Sequence, residues 1–183
     1  MISLGSLFNR GEPPLLGLDI SSSSVKLVEL SRDKAGNLVL DRCAIEPLER
    51  GWIIDGNVEK FDEVAEAVRR LVKKSGTRTK NVAMALPASA VITKKIILPG
   101  GLSESELEVQ VETEANQYIP FSLDEVSLDF CVVGPSATSA GDVEVLIAAS
   151  RKEKVQDRQG LAEAAGLQLG GQRLAVVDHA VRA

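Results

Sequence analysis

The stretch Leu15–Leu30, LLGLDISSSSVKLVEL, decides how the rest of the chain is read. Leu15–Ile20 is an apolar strand with a carboxylate, Asp19, near its end, and Val25–Leu30 is a second strand-like run. Between them stand Ser21, Ser22, Ser23 and Ser24, with Lys26 just beyond. A phosphate chain asks for backbone N–H groups lining a concave turn, hydroxyls and a cation. A Mg²⁺ ion asks for a carboxylate, often through water. Asp19, the four serines and Lys26 supply those groups within one hairpin. On spacing alone a plain polar turn accounts for them as well, and both readings stand at this point.

Composition narrows the field. The chain has 183 residues, 44% hydrophobic and 26% charged, which fits an ordinary soluble globular protein of one large domain or two small ones. A net charge of −5 argues against a nucleic-acid-binding surface, and aromatic residues at 3% leave little for base stacking. Cys43 and Cys131 lie far apart, without a CxxC pair, and His179 is the one histidine, so a zinc site is not expected. Two buried thiols in a reducing compartment are the simpler expectation. No apolar run is long enough to span a membrane. Residues 1–14, MISLGSLFNRGEPP, read as a flexible tail and not as a signal peptide, although Ile2, Leu4, Leu7 and Phe8 give them some apolar character.

Working outward from the serine hairpin, Asn37–Ile45 reads as a third strand and ERGWIIDGNVEKF as an irregular link. Asn57 is expected to cap a helix to about Lys74, with Phe61, Val64, Val68, Leu71 and Val72 on its apolar face and Gly76 at its C-terminal end. Asn81 opens a short strand, and VITKKIILP runs extended to Pro99. Ser103 and Glu106 form a capping box, with Leu102 and Leu107 as a hydrophobic staple. The helix that follows points Leu107, Val111, Ala115 and Tyr118 one way and ends at Pro120. In EVSLDFCV, Val126, Leu128, Phe130 and Val132 alternate with polar positions, the pattern of a half-buried strand. VEVLIAAS returns as its hairpin partner, and Lys152 to about Ala165 forms a last helix, with VVD starting a further strand. The chain is therefore α/β, α+β mixed, with residues 81–150 forming a strand–helix–strand–strand unit between 15–80 and 151–183.

Several stretches carry a resemblance. GLDISSSSVKLVEL resembles the first phosphate motif of the actin-like ATPase superfamily, and LERGWIIDGNVEKFDEVAEAVRRL is similar to a segment shared by the PilM family and the division protein FtsA. VAMALPASAVITKKIILP, EVQVETEANQYIPFSLDEVSLDF and VEVLIAASRKEKV resemble the inserted subdomain of the PilM family of type IV pilus assembly proteins. The resemblance runs to Leu167. After it Gly170, Gly171, Gln172 and Arg173 depart from the family's pattern, and His179 belongs to that tail. The resemblance implies a partial actin-like ATPase (ribonuclease H-like) domain carrying the inserted subdomain, with 151–183 truncated or divergent.

By the same resemblance, Asp19 would hold Mg²⁺ through water, Ser21, Ser22, Ser23 and Ser24 would hold the β- and γ-phosphates of ATP, and Lys26 would offset charge. Serine at 21 stands where the superfamily usually has glycine. The second phosphate loop and adenosine segment would lie beyond Ala183, so weak or absent ATP binding and no hydrolysis are expected of this chain, and no residue is assigned a catalytic role. The family implies a cytoplasmic adaptor, peripheral to the inner membrane through its partner. It binds the cytoplasmic N-terminal tail of PilN in a groove between the main domain and the inserted subdomain, alongside other pilus assembly proteins, with self-association open. Ile92, Ile96, Leu98, Tyr118, Ile119 and Phe121 are the expected lining, with packing inside the subdomain as the competing reading. Alternatives are an FtsA-like division protein, a GspL-like secretion adaptor and a sugar kinase-like ATPase. The glutamates 104, 106, 108, 112 and 114 read as a solvated face, Lys94 and Lys95 as guards of an edge strand, and Asp55 as a cap or turn.

Overall fold

The computed structural model describes residues 15–169. The expectations for residues 1–14, the VVD strand and His179 lie outside the described residues. Leu15–Ile20 (β1), Ser24–Arg32 (β2) and Leu38–Pro47 (β3) form an antiparallel meander. Asn81–Met84 (β6) adds in parallel to β1, and Gln168–Leu169 (β10) adds in parallel to β6, giving the order β10-β6-β1-β2-β3. Period-two alternation sends Leu16, Leu18, Val25 and Leu27 to one face, where all are buried. Helices Phe61–Ser75 (α1) and Lys152–Ala164 (α3) cover that face with Val64, Ala67, Val68, Leu71 and Leu161. On the opposite face Leu15, Val28, Leu30 and Ile45 are exposed.

The link after β3 is more ordered than its sequence suggested. Ile53–Ile54 (β4) and Asn57–Val58 (β5) pair as a two-residue hairpin closed by Asp55 and Gly56, both at positive φ (50° and 80°). Asp-Gly is the pair such a turn favours. Asn57 therefore pairs in this ribbon and is not the helix cap expected of it; Lys60 takes the N-cap position, without a side-chain bond. Gly76 closes α1 in the left-handed conformation, as expected.

The inserted unit has its own sheet, ordered β7-β9-β8, from Ile92–Pro99 (β7), Val126–Pro135 (β8) and Asp142–Arg151 (β9). Helix Glu104–Tyr118 (α2) lies across it, capped by the expected Ser103/Glu106 box. Val111 and Ala115 of α2 and Val145, Ile147 and Ala149 of β9 form a second core, separate from the first. The alternation of β8 holds for Val126, Leu128 and Phe130, but Val132 is exposed beside a bulge between Val132 and Gly134. Lys94 and Lys95 sit on the edge strand β7, as expected. The thiols are not both buried, since Cys43 is exposed on β3 and Cys131 is half-buried.

Candidate functional site

The serine hairpin sits at the end of the β1–β2 pair, where Ile20 faces Val25 across the ladder. Its hydroxyls do not form an open row. The Ser21 hydroxyl donates to the Ser24 carbonyl at 2.9 Å, and the Ser21 amide donates to the same oxygen at 3.0 Å. The Ser24 amide returns a bond to Ser21 Oγ at 3.3 Å. Ser21 and Ser24 thus lock the turn, and Ser22 and Ser23 form its exposed tip, where their N–H groups have no partner among the described residues. None of the four serines adopts positive φ, so the turn needs no glycine at position 21. The Asp19 carboxylate points to solvent and pairs with the Lys26 ammonium at 3.2 Å. A carboxylate, two open amides and an ammonium at one tip match the donor set that Mg²⁺ and a phosphate chain require. For such a ligand Lys26 would have to exchange Asp19 for a phosphate oxygen.

A second site lies where the inserted unit meets the β4–β5 ribbon and the start of α3. It is a cleft of about 270 Å³, with Asp55 and Asn57 of the β4–β5 ribbon on one side and Ile92, Phe121 and Val126 of the inserted unit on the other. Ser89 and Ala90 of the connector, Ala149, Ser150 and Arg151 of β9, and Lys154 of α3 complete it. Buried Ser150 donates to the Ala90 carbonyl at 2.7 Å and so fastens the connector to the end of β9. The Arg151 guanidinium lies 5.5 Å from the Phe121 ring centre, within cation–π range.

The six residues expected to line a peptide groove divide by place. Ile92 and Phe121 border the cleft. Ile96, Leu98 and Ile119 are buried in the inserted unit's own core, the competing reading of them. Tyr118 is exposed beneath Lys94, whose ammonium lies 4.6 Å from the ring centre. Sequence reasoning missed the other wall, because residues some 35 to 100 positions apart build it. The one local signal was the Asp55-Gly56 turn. It also missed Arg158, a charged residue in a helix without a clear apolar stripe, which is only 5% exposed and donates to the Gly56 carbonyl at 3.0 Å.

A mixed sheet covered on one face by two helices, interrupted by a three-stranded unit and bearing a serine hairpin at one end, defines part of an actin-like α/β protein. The chain belongs to the family described as type IV pilus assembly protein PilM, whose sequence pattern matches residues 17–182. The match continues past Leu167, where the resemblance was expected to stop. A solved structure described as the PilM-PilN type IV pilus biogenesis complex is 34% identical, with a TM-score of 0.76 over 88% of this chain and 47% of that one. This chain therefore spans about half the length of that relative. A diol dehydratase-reactivating factor in nucleotide-free form matches at 18% identity and a TM-score of 0.30, over 48% of this chain and 14% of that one.

Proposed function

We propose that this protein is a cytoplasmic adaptor of the type IV pilus machinery, peripheral to the inner membrane, and that it holds the cytoplasmic tail of a PilN-type protein in the cleft between its two units. The observation that carries the reading is the cleft itself. It is too small for a protein domain and large enough for a few side chains of an extended peptide. Its apolar side, Ile92, Phe121 and Val126, faces polar Asp55 and Asn57, so a peptide alternating apolar and hydrogen-bonding groups suits it. The complex structure named above supports the choice of partner. Among the described residues no helix is long and apolar enough to cross a membrane, so membrane contact in this reading runs through the partner.

The serine hairpin is assigned, in the same proposal, to one side of a MgATP site. Asp19 holds the metal, the Ser22 and Ser23 amides hold phosphate oxygens, and Lys26 offsets their charge. The metal would supply charge neutralisation of the phosphate chain.

The test is a calorimetric titration of the chain with a synthetic PilN-type tail. Saturable one-to-one binding is expected, weakened roughly tenfold by Phe121→Ala, the loss of about 1.4 kcal/mol that an aromatic anchor carries. Tyr118→Ala lies outside the cleft and should leave affinity unchanged. Absence of binding by the folded chain overturns the reading.

A further inference from the structure

Among the described residues β3 is an outer edge of the five-stranded sheet, and it is poorly covered. Leu38, Leu40 and Ile45 are each more than half exposed. The pairs that β3 makes with β2 sort its side chains. Arg42, Ala44 and Glu46 stand opposite Glu29, Leu27 and Val25 and share the helix-covered face, as does Val39 opposite Ser31. Leu38, Leu40, Cys43 and Ile45 stand opposite Arg32, Leu30, Val28 and Lys26 and share the open face. The alternation switches at Asp41, which the ladder skips between Leu40 and Arg42. The Ser23 carbonyl accepts from Leu48 on the β3 side, so by alternation Glu29 also bonds toward β3. Asp41 and Arg42 therefore both oppose Glu29, as the two residues of a bulge do, and both share its face. By the same alternation Leu38, Leu40, Cys43 and Ile45 turn their N–H and C=O groups to the outer edge. A bulge ordinarily guards an edge, because it spoils the match with a passing strand. The edge strand β7 is guarded differently, by Lys94 and Lys95, and β3 has no lysine.

We propose that β3 pairs antiparallel with β3 of a second copy of this chain about a two-fold axis, joining the two main sheets into one. A strand whose alternation switches once pairs cleanly with itself only where the switch meets the switch. Any other overlapping alignment sets an open-face side chain against a covered-face one. One register remains: Asp41 faces Arg42 of the copy, Leu40 faces Cys43, Val39 faces Ala44 and Leu38 faces Ile45. In that register the four residues with outward N–H and C=O groups face one another. The charges agree as well. The contact is two-fold, so the opposite-charge pair of Asp41 and Arg42 is made twice. Asp41 is exposed and has no ion pair among the described residues, so pairing supplies one. Leu40 with Cys43 and Leu38 with Ile45 cover apolar side chains that stand bare beside Val28 and Leu30. One edge group is already engaged. The Ile45 carbonyl accepts from Lys74 Nζ at 2.8 Å, and on releasing it Lys74 would keep Glu46, 3.9 Å away. No residue of β3 lines the cleft, so both copies keep theirs free for a peptide.

The test is Leu40→Cys, which sets a new thiol opposite the native Cys43 of the copy. Facing Cα atoms in an antiparallel pair lie about 4.5–5.5 Å apart, within disulfide reach. Cys43 and Cys43 of the copy are offset along the strands by roughly 10 Å, out of reach, so the native chain should not cross-link through them. On mild oxidation Leu40→Cys is expected to give a covalent dimer whose proteolytic fragments join residue 40 to residue 43. Leu40→Cys combined with Cys43→Ser retains Cys131 and should stay uncrosslinked. Sedimentation equilibrium of the native chain should show monomer and dimer in exchange. Asp41→Lys sets like charges across the axis twice and should weaken the dimer about tenfold. A native chain that is monomeric at its highest soluble concentration overturns the proposal, whatever else then covers the strand. A dimer cross-linked through another pair, or one indifferent to Asp41→Lys, overturns it as well. Should Leu40→Cys fail to fold, hydrogen exchange decides: β3 amides of the native chain should gain protection as concentration rises, those of Asp41→Lys should not, and equal behaviour of the two refutes the pairing.

Discussion

Glu29 occupies an inward position of β2, between the buried Leu27 and the end of the strand, and is only 8% exposed. Its carboxylate accepts from the Thr79 hydroxyl and forms an ion pair with Arg42 Nε at 3.2 Å. Removing one partner of such a group leaves a charge in poor solvent, whereas replacing both by apolar groups is often harmless. Arg42→Met is therefore expected to lower stability by about 1–3 kcal/mol in urea denaturation. The double variant Glu29→Met, Arg42→Met should recover most of that loss, and equal losses in the two would count against the argument. Gly56 makes a second case. Its φ of 80° and the 2.7 Å approach to Pro87 leave a side chain neither conformation nor room. Gly56→Ala should thus weaken tail binding and speed ribbon exchange while the far core, around Val111, keeps its exchange protection.

Helix ends were the most legible elements, because their chemistry is local. Ser103 accepts from the Glu106 amide, and the Glu106 carboxylate accepts from the Ser103 amide at 2.8 Å, closing the box that the S-x-x-E spacing announces. Hydrogen bonds from Ser103 hold the Glu106 carboxyl below its ordinary value of 4.5. A depressed folded-state value contributes stability above the unfolded value, and that contribution is lost as pH falls through the folded one. The melting temperature of the native chain should therefore exceed that of Glu106→Gln at pH 7. The gap should start to close as pH drops below about 4.5, and a gap that persists to strong acid would refute the account. Asn57 misled for the same local reason. It is a good cap residue in front of an apolar stripe, but Asp55-Gly56 two residues earlier had already committed it to a hairpin. The serine hairpin was legible as a turn and as a set of ligand types. Its inner bonding was not, since the Ser21 hydroxyl takes the backbone carbonyl and amide of Ser24 as partners in place of a ligand.

At the scale of the molecule, alternation and helical spacing gave the mixed α/β class and the strands and helix of the inserted unit. That unit was expected to start at Asn81, whereas Asn81–Met84 pairs in parallel with β1 in the main sheet, a long-range pairing that local pattern does not show. The cleft stayed hidden because it is made where the two units meet. Tyr118 and Ile119 are adjacent in sequence, yet one is exposed and the other buried, a distinction that only the packing of α2 on its sheet decides. The two units keep separate cores, Leu16, Val68 and Leu161 in one and Val111, Val145 and Ile147 in the other. They are tied by the connector bond from Ser150 to Ala90 and by the continuity of β9 into α3. Few buried apolar contacts between cores allow each to open by itself. Leu161→Ala should cost about 2–5 kcal/mol in the five-stranded unit, and Ile147→Ala a similar amount in the inserted one. Native-state hydrogen exchange should place the first loss in β1, β2 and α1 and the second in β7, β8 and α2. Loss spread evenly over both sheets in either variant would mean one cooperative unit. The cleft between the two units would then be a fixed feature of a single cooperative body.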